Sequence, residues 1–490
     1  MQEPRSESAN SKPDTARRIL FALLAIALTG FSINLWRGFH VDEYNTWFRT
    51  RLTLGELVQN RLQAGHFPTY FALETWWVRA FGDLEVVMRL PSLLLTLGSL
   101  AILYHFLRNT AGAYAAGAAG LLFIFHQLTI WVAQTARPYA GTLFFSMLAA
   151  IAFERWWSTA RRSWLAAFCA ANIAGLLFHA SYGMTTLAFA FAAVLSWRRH
   201  PKSAMPAILA ILLPLPILAI PLLLLAKTQE KYQKTFSALS FNPFRAMNGF
   251  GSMVFGDHTP WAKDWYLYLG LILFAVLVLA AQKSFGGRKT SVSDVAPEFP
   301  IFMFASCWAF VPSACIGIGA AITGSSMASH DRYYTPALGG LISLMAMGVT
   351  HLRQRPAFRK APHLPLVVVV LFMFPNDIAW WRWPGDGPKQ MAREIAANGV
   401  PSAVAGHVHV LNYEYRGRLP QTMMNFLGMF PMEAEEELES YRGAEPIWFL
   451  IYNNKRDALD PVLKDPPSQF IVERRLVFGD ARAVLLRPKP

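Results

Sequence analysis

Two adjacent carboxylates, Asp42 and Glu43, stand about six residues past the apolar run Ile19–Trp36, near the expected level of lipid headgroups. Acids at such a place can take or hold protons when their surroundings set their charge. Neighbouring residues point about 100° apart on a helix and to opposite faces on a strand, so the pair is not expected to share one proton. One acid can work while the other positions it. The bland alternative is a solvated loop, because exposed acids are the default. Tyr44, Trp47, Phe48, Phe67, Tyr70, Phe71, Trp76 and Trp77 count against it, since a stretch this aromatic belongs along a membrane surface.

The elements that position this stretch, Gly38 to Ser92, are apolar. Of 490 residues 54% are hydrophobic and 16% charged, against about 25% charged in soluble proteins, so an α-helical polytopic membrane protein is expected. Cys169, Cys307 and Cys315 fall inside apolar runs and read as small buried hydrophobes, not as a disulfide framework or zinc site. The formal charge of +14 gathers into no single patch, which argues against nucleic acid. Residues 1–16 are expected to be a disordered cytoplasmic terminus, followed by a retained signal-anchor helix behind Arg17 and Arg18.

Apolar runs recur near 19–36, 90–107, 113–132, 138–156, 163–179, 182–197, 204–226, 265–281, 300–322, 335–350 and 364–382, which predicts about eleven spans. With Arg17 and Arg18 inside, the inner loops hold Arg108, Arg155, Arg161, Arg162, Arg198, Arg199, Lys202, Lys283, Arg288, Lys289, Arg353, Arg355, Arg359 and Lys360. The short outer loops hold only Arg137 and Arg332. Asp42, Glu43, His66, Arg137, His179, His258 and Arg332 therefore converge on the outer face. Outer loop 37–89 carries the acidic pair, and outer loop 227–264, with Lys227, Lys231, Lys234, Asp257 and His258, has the composition of a lid or acceptor-docking loop. Residues 17–382 are expected to form the membrane domain and 383–490 a small outer α/β domain. In the latter, Pro388–Ala397 reads as a helix, Ala403–Tyr415 and Ile447–Tyr452 as strands, and Phe470–Val477 with Ala481–Leu486 as a hairpin.

Beside the acidic pair, the motifs HFPTYF, MRLPSLL, AQTARPYAGTL and HDRYYTPAL occur in that order. In these motifs and their topology the chain resembles the dolichyl-phosphate-mannose protein mannosyltransferase family and its bacterial relatives, including the lipid A aminoarabinose transferases, over roughly residues 15–350. The resemblance implies a GT-C membrane glycosyltransferase in a bacterial inner membrane. Such an enzyme passes a sugar from a polyprenyl-phosphate donor to a glycolipid, polysaccharide or protein acceptor on the outer face. It implies Asp42 as the catalytic acid with Glu43 beside it. His66 takes the place of the histidine in the family's His-Pro-Pro-like motif, where this chain has Phe67 for the first proline. Arg89, Arg137, Tyr139, Arg332 and Tyr333 fall on family-like positions and are implied to hold phosphate or shape the sugar pocket, with Tyr70 and His258 expected as further substrate contacts.

The chemistry suits these residue types independently. Breaking a sugar–phosphate bond leaves a phosphate that arginines can grip in bidentate fashion, and a carboxylate can take the acceptor proton. No nucleotide or other cofactor is expected, and no P-loop or dinucleotide fingerprint occurs. Asp42, Glu43, His66 and His258 do not have the spacing of a metal signature, although a divalent cation stays open. The alternative of another class is a secondary transporter or flippase. It calls for ionisable residues at mid-membrane and matching broken helices in two halves, and no such internal repeat is found.

Overall fold

A computed structural model describes residues 13–64, 66–197, 201–217, 219, 223, 242–256, 264–286, 299–323, 328, 330–382, 387–397, 403–406, 408–414, 438–439, 445–452, 465–479 and 481–489. Helix α1 (Pro13–Ser32) carries the first apolar run, and three short helices follow before the next one: α2 (Val41–Thr50), α3 (Leu54–Gln63) and α4 (Thr69–Phe81). Capping boxes open α2 and α3, His40 with Glu43 and Thr53 with Glu56, so the first free N–H groups of each helix find acceptors. Helix α4 is two-faced. Tyr70, Phe71, Glu74 and Thr75 are buried while Leu73, Trp76 and Phe81 are exposed, the division expected of a helix lying on an apolar medium.

The membrane domain continues as α5 (Glu85–Thr110), α6 (Ala113–Ile124), α7 (Gln127–Ala133), α8 (Tyr139–Thr159), α9 (Arg162–Phe178), α10 (Gly183–Trp197), α11 (Pro201–Leu212), α12 (Pro243–Phe255), α13 (Asp264–Ala281), α14 (Ile301–Thr323), α15 (Leu338–Arg353) and α16 (Leu364–Arg382). Helix α15 is the hub, and glycine makes its close contacts. A Cβ on Gly340 would sit 2.4 Å from the Ala309 nitrogen, and one on Gly348 2.3 Å from the Leu277 oxygen, so the backbones of α14 and α13 approach only because these side chains are absent.

Among the described residues seven helices are long and apolar enough to cross a membrane, or eight if α6 and α7, bent by 66° at their junction, form one span. The expected eleven are not reached by this measure. Helix α9 and the helical stretch Ala204–Ile217 are apolar but short, and α8 carries Glu154 and Arg155 in its C-terminal half, so an apolar run in sequence is not always a helix of spanning length.

The C-terminal part comprises α17 (Gly387–Ala396), β1 (Ala403–Gly406), α18 (Val408–Glu414), β2 (Ile447–Tyr452), β3 (Phe470–Phe478) and β4 (Ala481–Pro488). The sheet order is β1-β2-β4-β3. β1 runs parallel to β2, Ala403 opposite Ile447, and the other pairs are antiparallel. The strand expected over Ala403–Tyr415 stops at Gly406. Residues 408–414 are helical because Leu411 and Tyr413 bury against the acidic loop, a tertiary contact that overrides the alternating pattern. Phe39, Tyr44, Trp47 and Met88 share one core with Met391, Leu411, Tyr413, Trp448 and Leu450. The C-terminal domain thus sits on the same side of the molecule as the acidic pair.

Candidate active site

Asp42 and Glu43 occupy the second and third positions of α2, where the positive end of the helix favours acids. Their side chains then part. Glu43 is 1% exposed and meets Arg89, itself 0% exposed, through two bonds: Arg89 Nε donates to Oε1 at 2.8 Å and Nη2 to Oε2 at 2.7 Å. Glu43 also accepts the Ala136 N–H at 2.9 Å and the His40 N–H at 2.9 Å. Arg89 sends its remaining N–H groups to the carbonyls of Leu35, Arg37 and Gly38. A guanidinium has about five donor hydrogens, and all are engaged. The structure therefore does not bring Arg89 to a phosphate as expected, nor leave it as an interfacial anchor; it ties α2 to the start of α5.

Asp42 faces the other way and is 24% exposed at its side chain. Its Oδ2 accepts from Arg332 Nη1 at 2.8 Å, and His40 Nδ1 lies 3.9 Å from the same oxygen. Arg137 Nη1 reaches the Asp42 carbonyl at 3.3 Å and Thr46 Oγ1 at 3.4 Å. Burial pushes the Asp42 carboxyl up, but Arg137 and Arg332 outweigh it and hold the group well below the usual carboxylate range. Tyr333 lies beside the pair, with the Arg332 guanidinium 5.3 Å from its ring centre.

Around Asp42 the arginines outnumber the acids. The guanidinium carbons of Arg49, Arg61 and Arg137 lie 5.5, 5.0 and 6.0 Å from the Phe71 ring centre. Among the described residues the buried Nε atoms of Arg49, Arg137 and Arg332 have no hydrogen-bond partner. Burial, then Arg61 and Arg137, push Arg49 down to about 8, the sign of positive charge without enough counter-charge. A guanidinium does not give up its proton in a protein, so an anion is what relieves such a cluster. Spacing could have found Arg49, because Asp42, Thr46 and Arg49 at i, i+4 and i+7 share one face of a helix.

An aromatic wall borders this cluster. Ring centres run from Trp131 to Tyr139 at 5.3 Å, from Tyr139 to His179 at 5.4 Å and from His179 to His66 at 5.7 Å. Burial, then Arg137, push His179 down to about 4; burial, His179 and the nearby arginines push His66 well down too, so both imidazoles are neutral at pH 7. Tyr70 packs edge-on against Phe71, with centres 5.2 Å apart. One turn further along α4, Glu74 is 2% exposed, and among the described residues its Oε1 has no hydrogen-bond partner. Neither Glu74 nor His40 has a signal in the sequence. His258 and most of the outer loop 227–264 lie outside the described residues. Among the described residues no three of His, Cys, Asp and Glu form a group that could hold a metal ion.

No protein-family model matches the sequence, and no curated protein does. The fold is similar to that of ArnT from Cupriavidus metallidurans in two crystal structures. For the apo state the TM-score is 0.55, with 15% identity over 96% of this chain and 98% of that one. For the form bound to undecaprenyl phosphate it is 0.58, with 14% identity over 97% and 98%. The likeness establishes the GT-C membrane fold with its small C-terminal sheet domain.

Proposed function

We propose that the chain is a membrane glycosyltransferase that moves a sugar from a polyprenyl-phosphate donor to a glycolipid, polysaccharide or protein at the outer face of a bacterial inner membrane. The observation that carries this reading is the Asp42–Arg332 pair at 2.8 Å, set in a cluster of arginines whose buried nitrogens lack partners. Undecaprenyl phosphate, a polyprenyl phosphate, is the ligand of the similar crystal structure, which supports the donor class. The excess of Lys and Arg in the alternate loops supports the outer location.

In this reading the donor phosphate settles among Arg49, Arg137 and Arg332, and the sugar lies along Tyr139, His179 and His66. Paired to Arg332, Asp42 is a weak base. When the phosphate draws Arg332 away, Asp42 loses its counter-ion and its basicity rises. It then takes the proton of the acceptor nucleophile as that atom attacks the anomeric carbon. The bond from carbon to carrier oxygen breaks, and polyprenyl phosphate leaves with the electron pair, its charge held by the arginines. Glu43 and Arg89 take no part in bond changes; they hold α2 in place.

Reconstitution with a radiolabelled polyprenyl-phosphate sugar tests the reading. Asp42→Asn should lower transfer by about 10²–10⁴-fold while donor still binds, and wild-type turnover in that variant would remove Asp42 as the base. One observation favours a transporter or flippase instead: Asp377, inside α16, is 0% exposed, and among the described residues neither oxygen has a hydrogen-bond partner. Vesicle uptake of label without transfer, lost in Asp377→Asn, would establish that alternative.

A further inference from the structure

We infer that α18 of the C-terminal domain is a positioning element of the active site, with Tyr413 and Glu414 holding α2 at the rotation and depth at which Asp42 meets Arg332. The inference rests on the transferase reading above.

Helix α2 has ten residues, too few to be stable alone, so packing sets its place. It is held on three sides. Glu43 ties one side to α5 through Arg89, and Asp42, Thr46 and Arg49 face the arginine cluster. The third side carries Tyr44 and Trp47, and what covers them is α18. The Tyr413 ring lies 5.7 Å from that of Tyr44, 5.3 Å from that of Trp47 and 4.7 Å from that of Phe39. Tyr44 Oη donates to Glu414 Oε1 at 3.1 Å. Both tyrosines are 1% exposed, so water does not substitute for these contacts.

Further bonds fix the same joint from either end of the loop. Asp83, just past α4, accepts the Trp47 indole N–H through Oδ2 at 2.9 Å and the Tyr413 hydroxyl through its carbonyl at 3.4 Å. Lys389, on α17, pairs with Glu85 at 2.6 Å and donates to the Trp36 carbonyl at 3.3 Å. These partners grip α2 from behind and from its flanks, and Tyr413 and Glu414 act on Asp42 only through the helix that carries it. A catalytic group misplaced by about 1 Å can lose about a hundredfold in rate, so a few contacts at the back of a short helix are enough to matter.

The experiment measures kcat, donor KM and donor binding for full-length protein in liposomes. Tyr413→Leu removes the ring contacts and Glu414→Ala the hydrogen bond, whereas Tyr413→Phe keeps the ring and Glu414→Gln keeps an acceptor oxygen. The Leu and Ala variants should lose about ten- to a hundredfold in kcat with donor KM and binding unchanged, and the Phe and Gln variants should recover the wild-type kcat. If Tyr413→Leu does not fold, Glu414→Ala and Tyr44→Phe, each deleting one hydrogen bond, carry the same test. Unchanged kcat in the disruptive variants overturns the positioning role. Loss of donor binding and of thermal stability in step with kcat overturns it too, because that is mere unfolding. A wild-type protein that transfers no sugar removes the transferase reading, and this inference with it.

Discussion

Burial pushes the Glu74 carboxyl up to about 8, against the opposing pull of the Tyr70 hydroxyl and with a further push from Glu43. At neutral pH it is therefore an uncharged carboxylic acid one turn beyond Phe71, the ring that the arginines border. An unfolded glutamate titrates near 4.5, so as pH rises from 4.5 to about 8 the unfolded chain releases this proton while the folded protein keeps it. Stability present at low pH is lost through that window. Glu74→Gln removes the titration: its melting temperature should match that of wild type at pH 4.5 and exceed it at pH 8. Melts in detergent across that range check this, and parallel curves for the two proteins would refute it. Among single residues, Asp42 stood out in the sequence because an acid beside a membrane helix is costly to leave unused. Glu74 did not, because nothing about a Glu in a short aromatic helix tells which face is buried.

At the level of elements, α2 depends on a buried ion pair. Removing one partner of such a pair costs about 3–5 kcal/mol, because the other charge stays buried and unpaired. Arg89→Met should therefore lower stability by that amount in a denaturation series, and Glu43→Gln by a similar amount, because Arg89 keeps its buried charge and the amide offers one oxygen where the Ala136 and His40 N–H groups donate to two. Equal and small effects would mean that water reaches the pair. The apolar helices and the amphipathic loop were legible because periodicity and composition are local. The Glu43–Arg89 pair, 46 residues apart, was not: Glu43 was expected as the catalytic partner of Asp42, and Arg89 as a phosphate or sugar contact implied by the resemblance. The helix at 408–414 was missed for the same reason: Val408 and Val410 suggest a strand, and the surface that makes the segment helical lies in the loop after α1. Eleven spans are not reached among the described residues, because sequence shows where chain is apolar, not where a helix begins and ends.

For the whole molecule, the shared core joins the C-terminal domain to the loop that carries Asp42, and the loop arginines support our proposal that this side is the outer one. Alkaline phosphatase fused after Arg487 should be active and a fusion after Arg199 inactive; the reverse pattern would place Asp42 in the cytoplasm. Tyr44 and Glu414 stand 370 positions apart in the chain, yet they are hydrogen-bonded. One side of helix α2 thus meets Arg89, 46 positions on, while the side that carries Tyr44 waits for residues 370 positions on. A polypeptide clipped between its two domains keeps the arginines of the membrane domain but carries Asp42, the proposed base, on an unseated helix. On the proposed transferase reading, a chain without α18 is then catalytically silent.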